Sequence, residues 1–383
     1  MYFVEKTKGI NFIKQFDYPL FLAVLLLSLI GIAVLKSAIG VTGFSSVWFR
    51  QVIFLFIGII VSLITCTIDY KDFKTLGIIL YMASVILLVL VLFIGDKTNG
   101  STSWIELPII GRFQPSELAK VAFILVLPVF LERIKEGQQV RKNAVKLLIY
   151  TGIPLALVFL QPDVGTALVF VFSFFVMLFV YGIPYRYFFI ALGSVAASAP
   201  LMWLFVLPYH IKERIRTYLL PDTDLQGNGL QVYRSKMTIG SGQLFGKGLF
   251  HGLQTQNSSS MANSYNVPEK QNDFIFSVIG EELGFIGCML VLALAFFILF
   301  RCMYIARNSR DQYGSFMVIG ITAMLGFHFI ENIGMNVGVL PVTGIPLPFV
   351  SQGGSALVTN FISLGVLLSV SMRRKRTIFN SSQ

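Results

Sequence analysis

The chain has 383 residues, of which 55% are hydrophobic and only 13% are charged, whereas soluble domains have roughly 45–50% apolar and about 25% charged residues. This composition excludes a soluble globular protein, because too few polar residues are present to cover a surface in water. The formal net charge of +11 comes from basic residues between apolar runs, which indicates membrane topology and not nucleic-acid binding. Cys66, Cys288 and Cys302 have neither a paired nor a metal-binding spacing.

Apolar runs long enough to cross a bilayer occur about ten times, when ~20 residues are taken as one crossing. We therefore predict an all-α polytopic membrane protein in which residues 1–383 form a single integral membrane domain. A large extracytoplasmic loop, residues 209–273, is predicted between the seventh and eighth spans. The predicted spans are 19–38, 51–68, 75–95, 115–133, 145–160, 166–183, 187–208, 274–300, 314–340 and 356–371.

The short loops between these spans differ in their content of Lys and Arg, which are enriched on the cytoplasmic side of membrane proteins. On one side they carry only Arg50, Lys97 and Arg112, and the loops on the other side carry many more. This asymmetry predicts that both termini are cytoplasmic and that residues 209–273 lie outside. The basic segments are also expected to contact anionic membrane lipids.

The predicted outer loop 209–273 is the feature that most favours a function, because long loops are uncommon unless they are functional. It holds the charged run HIKERIR at 210–216 and the glycine-dense run GSGQLFGKG at 240–248. The glycine run does not fit the phosphate-binding pattern of nucleotide-binding loops. Two shorter outer loops cover residues 96–114 and 341–355. We therefore expect the chemistry of this protein at the outer face.

Charged residues in or beside the spans are costly in lipid, so each favours a functional hypothesis. Glu117 and Lys120 are three residues apart on one helical face, where they form either a structural ion pair or a charged cavity floor that binds an anion such as phosphate. Asp163 and Asp273 each precede an apolar run. Either aspartate can serve only as a helix cap, or it can act in a site.

Two further groups of polar residues lie inside predicted spans. Glu281 and Glu282 are adjacent acids, which require partners if they are to be stable in a bilayer. His328 and Glu331 are three residues apart, and they either satisfy each other or neighbouring backbone groups, or bind a cation. The outer carboxylates and the outer cations together suit a lipid-linked phosphate substrate, with a base that activates a hydroxyl and cations that hold a leaving diphosphate. These residues are Asp163, Asp273, Lys120, Arg214 and either Arg112 or Lys247.

Four sequence blocks resemble the signatures of the SEDS family, which comprises the RodA, FtsW and SpoVE proteins. They are GRFQPSELAK (111–120), QPDVGT (161–166), PEKQNDFIF with GEE (268–282) and PVTGIPLPFVS (341–351). The blocks stand in the family's order, and the short tails are more similar to RodA than to FtsW. The chain departs from the family pattern at Lys270 and at Gln352.

The resemblance implies a peptidoglycan glycosyltransferase that polymerises lipid II into β-1,4 glycan strands at the outer face of the bacterial cytoplasmic membrane, for cell elongation and shape. It implies that Asp273 is the catalytic base. Together with the outer cation Arg214, the residues expected to bind substrate or its diphosphate are Trp104, Glu117, Lys120, Asp163 and Glu269. Lipid II, the nascent glycan and a class B penicillin-binding protein are the implied partners. A divalent cation, Mg²⁺ or Mn²⁺, is the one implied cofactor, with no certain metal ligand.

Two other classes of function stay open at the level of sequence. A transporter or flippase of lipid-linked precursors also carries charged residues inside its spans. A non-catalytic membrane scaffold of the wall-synthesis complex is the third class. The outer position of the acids favours catalysis, because a carrier is expected to place its main charges near the bilayer midplane.

Overall fold

The computed structural model describes residues 12–39, 46–98, 101–107, 111–201, 204, 209–219, 228–252 and 267–374. The chain termini and two stretches of the predicted outer loop, 220–227 and 253–266, lie outside them. The helices are α1 (Phe12–Gln15), α2 (Tyr18–Ile39), α3 (Ser46–Thr67), α4 (Phe73–Ile94), α5 (Pro115–Lys135), α6 (Val140–Leu160), α7 (Val164–Tyr181), α8 (Tyr185–Leu201), α9 (Tyr209–Leu219), α10 (Asn228–Ser241), α11 (Ile275–Arg307), α12 (Gln312–Asn336) and α13 (Gly354–Met372).

Eight helices among the described residues are long and apolar enough to cross a membrane: α2, α3, α4, α6, α7, α11, α12 and α13. Large apolar side chains on these helices are exposed, including Phe56, Ile86 and Phe93, and such a surface is stable in lipid and not in water. The chain is therefore a multi-pass membrane protein. The predicted all-α polytopic class is confirmed, while the count of ten spans stays a prediction.

Two helices lie within predicted spans but outside this set of eight. The helix α5 covers the predicted span 115–133, and α8 covers the first part of 187–208, whose residues 202, 203 and 205–208 lie outside the described part. The helix α5 carries Glu117 and Lys120 near one end and further charges at the other. Its side chains from Pro115 to Leu131 are nevertheless almost all buried, because α4, α6, α7, α12 and α13 pack around it. Neighbouring helices thus shield its charges from lipid.

The segment between α4 and α5 forms a small antiparallel sheet, which the all-α expectation did not include. Its strands are β1 (Asp96–Thr98), β2 (Ser101–Leu107) and β3 (Gly111–Phe113), in the order β1-β2-β3. The sheet lies against the turn between α6 and α7, where the Thr102 amide donates to the Gln161 carbonyl at 3.4 Å. It therefore places Trp104 and Arg112 beside the ends of the membrane helices.

The described part of the predicted loop 209–273 contains the helices α9 and α10. The helix α10 packs against α11 and α12, and the Ser235 hydroxyl donates to the Asn336 carbonyl at 2.8 Å. The glycine-dense turn that follows α10 bonds to the adjacent acids of α11. The Lys247 ammonium lies 2.7 Å from Glu281, and the Ser37 hydroxyl donates to Glu282 at 2.5 Å. The acid pair thus has the partners that a bilayer requires.

The helix α11 is broken at Gly284, which has a φ of 65° and a ψ of −164°. The turn after α10 fills the break. Lys247 and Gly248 donate their amides to the carbonyls of Glu281 and Glu282 at 2.9 Å each, and the Phe285 amide donates to the Gln243 carbonyl at 2.8 Å. These bonds satisfy the main-chain groups that the break leaves without helical partners. A Cβ at position 284 would lie 2.2 Å from the Gly246 nitrogen, so only glycine fits.

Candidate active site

A cavity of about 970 Å³ lies at one end of the helix bundle. The helices α3, α5, α7, α11 and α13 all direct their N-terminal ends toward it, since residues in or just before the first turns of each of them line its wall. Helix N-termini carry partial positive charge and unpaired amides, which favour anionic groups. The cavity is large enough for the polar part of a sizeable ligand.

All seven predicted site residues line this single cavity: Trp104, Glu117, Lys120, Asp163, Arg214, Glu269 and Asp273. They come from the sheet, from three membrane helices or their ends, and from the loop that contains α9. Arg50 and Arg112 also line the wall. The described lining of the cavity thus combines three guanidinium groups and one ammonium group with several carboxylates, while the roles of these residues stay predictions.

Asp273 is held through its main chain and not through its side chain. Asn332 and Asn336 on α12 each donate a side-chain N–H to the Asp273 carbonyl at 2.9 Å. Asn332 donates a second N–H to the Ile345 carbonyl at 2.8 Å, which ties the turn to the 341–353 loop. Among the described residues, the Asp273 carboxylate makes no hydrogen bond. This arrangement fixes the backbone and leaves the carboxylate free to face the cavity.

The helix-cap interpretation of Asp273 is wrong in this structure. The N-cap residue of α11 is Phe274, which makes no side-chain capping bond. In the first turn, the Ser277 amide donates to the side-chain oxygen of Asn336 at 3.2 Å and not to Asp273. Asn332 and Asn336 were not selected from the sequence. Two amide side chains four residues apart in an apolar span were a usable signal, and the structure shows that both are fully buried.

The pKa of Asp273 is raised from its ordinary value to about 7. Burial is the main cause of this shift, because protein surrounds the carboxyl group. The residue is nevertheless partly exposed, toward the cavity. The negative charge of Glu269 raises the pKa further, and the positive charge of Arg214 opposes both. A carboxyl whose pKa lies near neutral pH can both accept and release a proton there.

The predicted Glu117–Lys120 pair lies at the floor of the cavity and is almost fully buried, with residue exposures of 4% and 3%. The Lys120 ammonium is 2.9 Å from a Glu117 carboxylate oxygen. It is also 3.0 Å from Nε2 of His328 on α12. The expectation that His328 and Glu331 satisfy each other is therefore wrong, because the imidazole reaches across to α5 instead of along its own helix.

Asp163 serves as the N-cap of α7 and also lines the cavity. Its carboxylate accepts from the Thr166 amide at 3.1 Å and from the Thr166 hydroxyl at 2.9 Å. Gln114, which immediately precedes α5, donates to the same carboxylate at 3.0 Å. The cap interpretation is thus correct for Asp163, and the bond to Gln114 joins the start of α5 to the start of α7.

Arg214 reaches the cavity from α9. Its guanidinium donates to the Thr343 carbonyl at 3.2 Å, so the loop after α12 orients it. Gly344 follows with a φ of +82°, and a Cβ there would lie 3.4 Å from a carboxylate oxygen of Asp273. This loop therefore supports the cation and borders the carboxylate at the same time.

A charged cavity built from the ends of lipid-embedded helices defines a polytopic membrane protein with a polar site on one side of its bundle. The sequence profile of the FtsW/RodA/SpoVE family, described as cell cycle proteins, matches residues 17–376. The chain belongs to this family, and the resemblance found in the four sequence blocks is confirmed.

Individual relatives support the same assignment. Stage V sporulation protein E of Bacillus subtilis (strain 168) is 39% identical over 366 residues, which cover 93% of this chain and 96% of the relative. Peptidoglycan glycosyltransferase MrdB of Escherichia coli (strain K12) is 35% identical over 318 residues, which cover 83% and 84%. A chain in a solved structure of a peptidoglycan synthase complex that coordinates polymerization and crosslinking matches with a TM-score of 0.78 and 31% identity, over 93% of this chain and 97% of that one.

Proposed function

We propose that this chain is a peptidoglycan glycosyltransferase that polymerises lipid II into β-1,4 glycan strands. The observation that carries the proposal is the Asp273 carboxylate, which faces a cavity that Lys120 and Arg214 also line. The glycosyltransferase name of the Escherichia coli relative supports the reaction class. The RodA-like subtype, with a role in cell elongation and shape, is part of the same proposal.

In the proposed reaction, the growing glycan on undecaprenyl diphosphate is the donor, and the 4-hydroxyl of the GlcNAc of lipid II is the acceptor. Asp273 takes the hydroxyl proton while the oxygen attacks the anomeric carbon of the MurNAc. The bond from that carbon to the diphosphate breaks, and Lys120 and Arg214 hold the negative charge that develops on the leaving group. A single displacement inverts the anomeric centre without a covalent sugar intermediate. The diphosphate leaves as an anion that the cations stabilise, so no general acid is needed and one essential carboxylate is sufficient.

Trp104, Glu117, Asp163 and Glu269 complete the proposed substrate-binding site. A divalent cation, Mg²⁺ or Mn²⁺, is proposed only as a counter-ion of the substrate diphosphate. Among the described residues, no group of three His, Cys, Asp or Glu side chains is placed to hold a metal ion. The steps proposed above therefore use the chain's own residues.

The proposed partner is a class B penicillin-binding protein, which would cross-link the strands that this chain makes. The synthase complex that contains the structural relative supports this partner.

Purified protein in detergent, with its partner and with penicillin to block cross-linking, is expected to convert lipid II into glycan strands, which are detected on a gel. Movement of labelled lipid II across the bilayer of proteoliposomes, with no polymer formed, would favour a flippase instead. Absence of both activities would favour a scaffold.

The pH dependence of polymerisation gives a test of the proposed base. A base with a pKa of about 7 is ionised only above that pH, so kcat/KM is expected to fall about tenfold for each pH unit below 7. Glu269→Gln removes a negative charge and should move this acid limb to lower pH. Arg214→Gln should move it to higher pH. A limb near pH 4 that neither variant moves would contradict the assignment.

We also propose that the cavity opens at the outer face of the bacterial cytoplasmic membrane, with both termini in the cytoplasm. Glu106 is exposed near the cavity, and Gln138 is exposed at the opposite ends of the helices. Because all three native cysteines are buried, a membrane-impermeant maleimide should label Glu106→Cys on intact cells and Gln138→Cys only after permeabilisation. The reverse pattern would overturn the orientation.

A further inference from the structure

We infer that His328 is a positioning residue that holds Lys120 for the substrate diphosphate, an inference that rests on the proposed function. The imidazole Nε2 lies 3.0 Å from the Lys120 ammonium, and the Glu117 carboxylate lies 2.9 Å from the same nitrogen. His328 is only 2% exposed. The imidazole therefore reaches substrate only through the lysine.

The chemistry of the contact fixes the protonation of the imidazole. An ammonium group has three donors and no acceptor, so Nε2 of His328 must be the acceptor. The ring is then neutral and carries its proton on Nδ1. A neutral acceptor leaves the positive charge of Lys120 intact, while Glu117 balances part of it.

Close packing of α5 against α12 brings the two groups together. A Cβ at Gly320 would lie 2.7 Å from the Ile124 side chain, so the helices approach closely two turns below His328. Further along, the Tyr313 hydroxyl donates to the Leu125 carbonyl at 3.1 Å. Of these three contacts between α5 and α12, the one between His328 and Lys120 lies nearest the cavity.

Two of the three ammonium donors are used by Glu117 and His328, and the third is left for the cavity that Lys120 lines. The four-carbon stem of lysine is flexible, so a ligand that must order it binds more weakly. Two fixed partners on two different helices remove this freedom before the ligand arrives. His328 thus prepares the ammonium for an anionic group.

The test compares affinity for undecaprenyl diphosphate in detergent micelles. His328→Leu, which removes the acceptor, is expected to weaken binding about tenfold, whereas His328→Gln, which keeps an acceptor oxygen, should bind within about threefold of wild type. Tyr313→Phe is the matched control, because it removes a hydrogen bond between the same two helices far from the cavity. It should lower the melting temperature and leave affinity unchanged. If His328→Leu does not fold, His328→Met replaces it.

A double-variant cycle separates positioning from a general structural role. The cycle uses the background Glu117→Gln with Lys120→Met, which leaves no unpaired carboxylate buried. Adding His328→Leu to it should cause no further loss of affinity, because the residue acts through the lysine. A further loss of about tenfold, or wild-type affinity in His328→Leu alone, would overturn the inference. Failure of the proposed function would be seen separately, as a wild-type protein that binds the probe but makes no glycan from lipid II.

Discussion

Replacing Asp273 with Asn is expected to lower the rate of glycan polymerisation by about 10²–10⁴-fold, the range typical for loss of a general base. The amide cannot take the hydroxyl proton. Folding should be preserved, because Asn332 and Asn336 hold the main-chain carbonyl of residue 273 and not its side chain. The measurement is the rate of glycan formation from lipid II by purified protein at equal concentration.

Asp311→Asn is the matched control for this experiment. Asp311 caps α12 through the Gly314 amide at 2.9 Å, at the end of the helix opposite the cavity. The change should cost at most about 1 kcal/mol of stability and leave polymerisation per folded molecule unchanged. Activity of Asp273→Asn within a few-fold of wild type would exclude Asp273 as the base.

Replacing Lys120 with Met is expected to destabilise the protein by about 3–5 kcal/mol, because it leaves the buried Glu117 carboxylate without its ammonium partner. The variant should also lose polymerisation, since the proposed site then lacks one of its diphosphate-binding cations. Thermal unfolding in detergent reports the first effect, and glycan synthesis reports the second.

The double variant Glu117→Gln with Lys120→Met separates these two effects. Removing both charges should recover much of the melting temperature, because no unpaired carboxylate stays buried. Polymerisation should stay absent, since the cation is still missing. Normal activity in either variant would contradict the proposed diphosphate-binding role of Lys120.

The membrane class follows directly from the sequence, because lipid requires long apolar helices and these are visible as apolar runs. The helix α5 shows the limit of that argument. Its run is interrupted by Glu117 and Lys120, and only the surrounding helices make it stable in the bundle. The sheet of β1 to β3 was not predicted, although each strand pairs with its neighbour in the chain. The break at Gly284 could not be predicted, because it depends on bonds to the turn after α10, about forty residues earlier in the chain.

The candidate site, too, could be predicted only in part from the sequence. Residues such as Asp163 and Asp273 could be selected because charged groups at helix ends in lipid are rare. Their partners could not be predicted, because a contact such as His328 with Lys120 depends on how two helices are rotated against each other. A spacing of three residues suggested that His328 would pair with Glu331, and helix packing gave it a partner on α5 instead.

The break in α11 lets the turn after α10 bond to that helix on both sides of Gly284. Before the break, the carbonyls of Glu281 and Glu282 accept from Lys247 and Gly248, and after it the amides of Phe285 and Ile286 donate to Gln243 and Leu244. The part of α11 from Ile275 to Leu283 carries the Asp273 turn at its start. A partner bound to α10 would therefore be connected to the proposed base through main-chain hydrogen bonds and one short piece of helix.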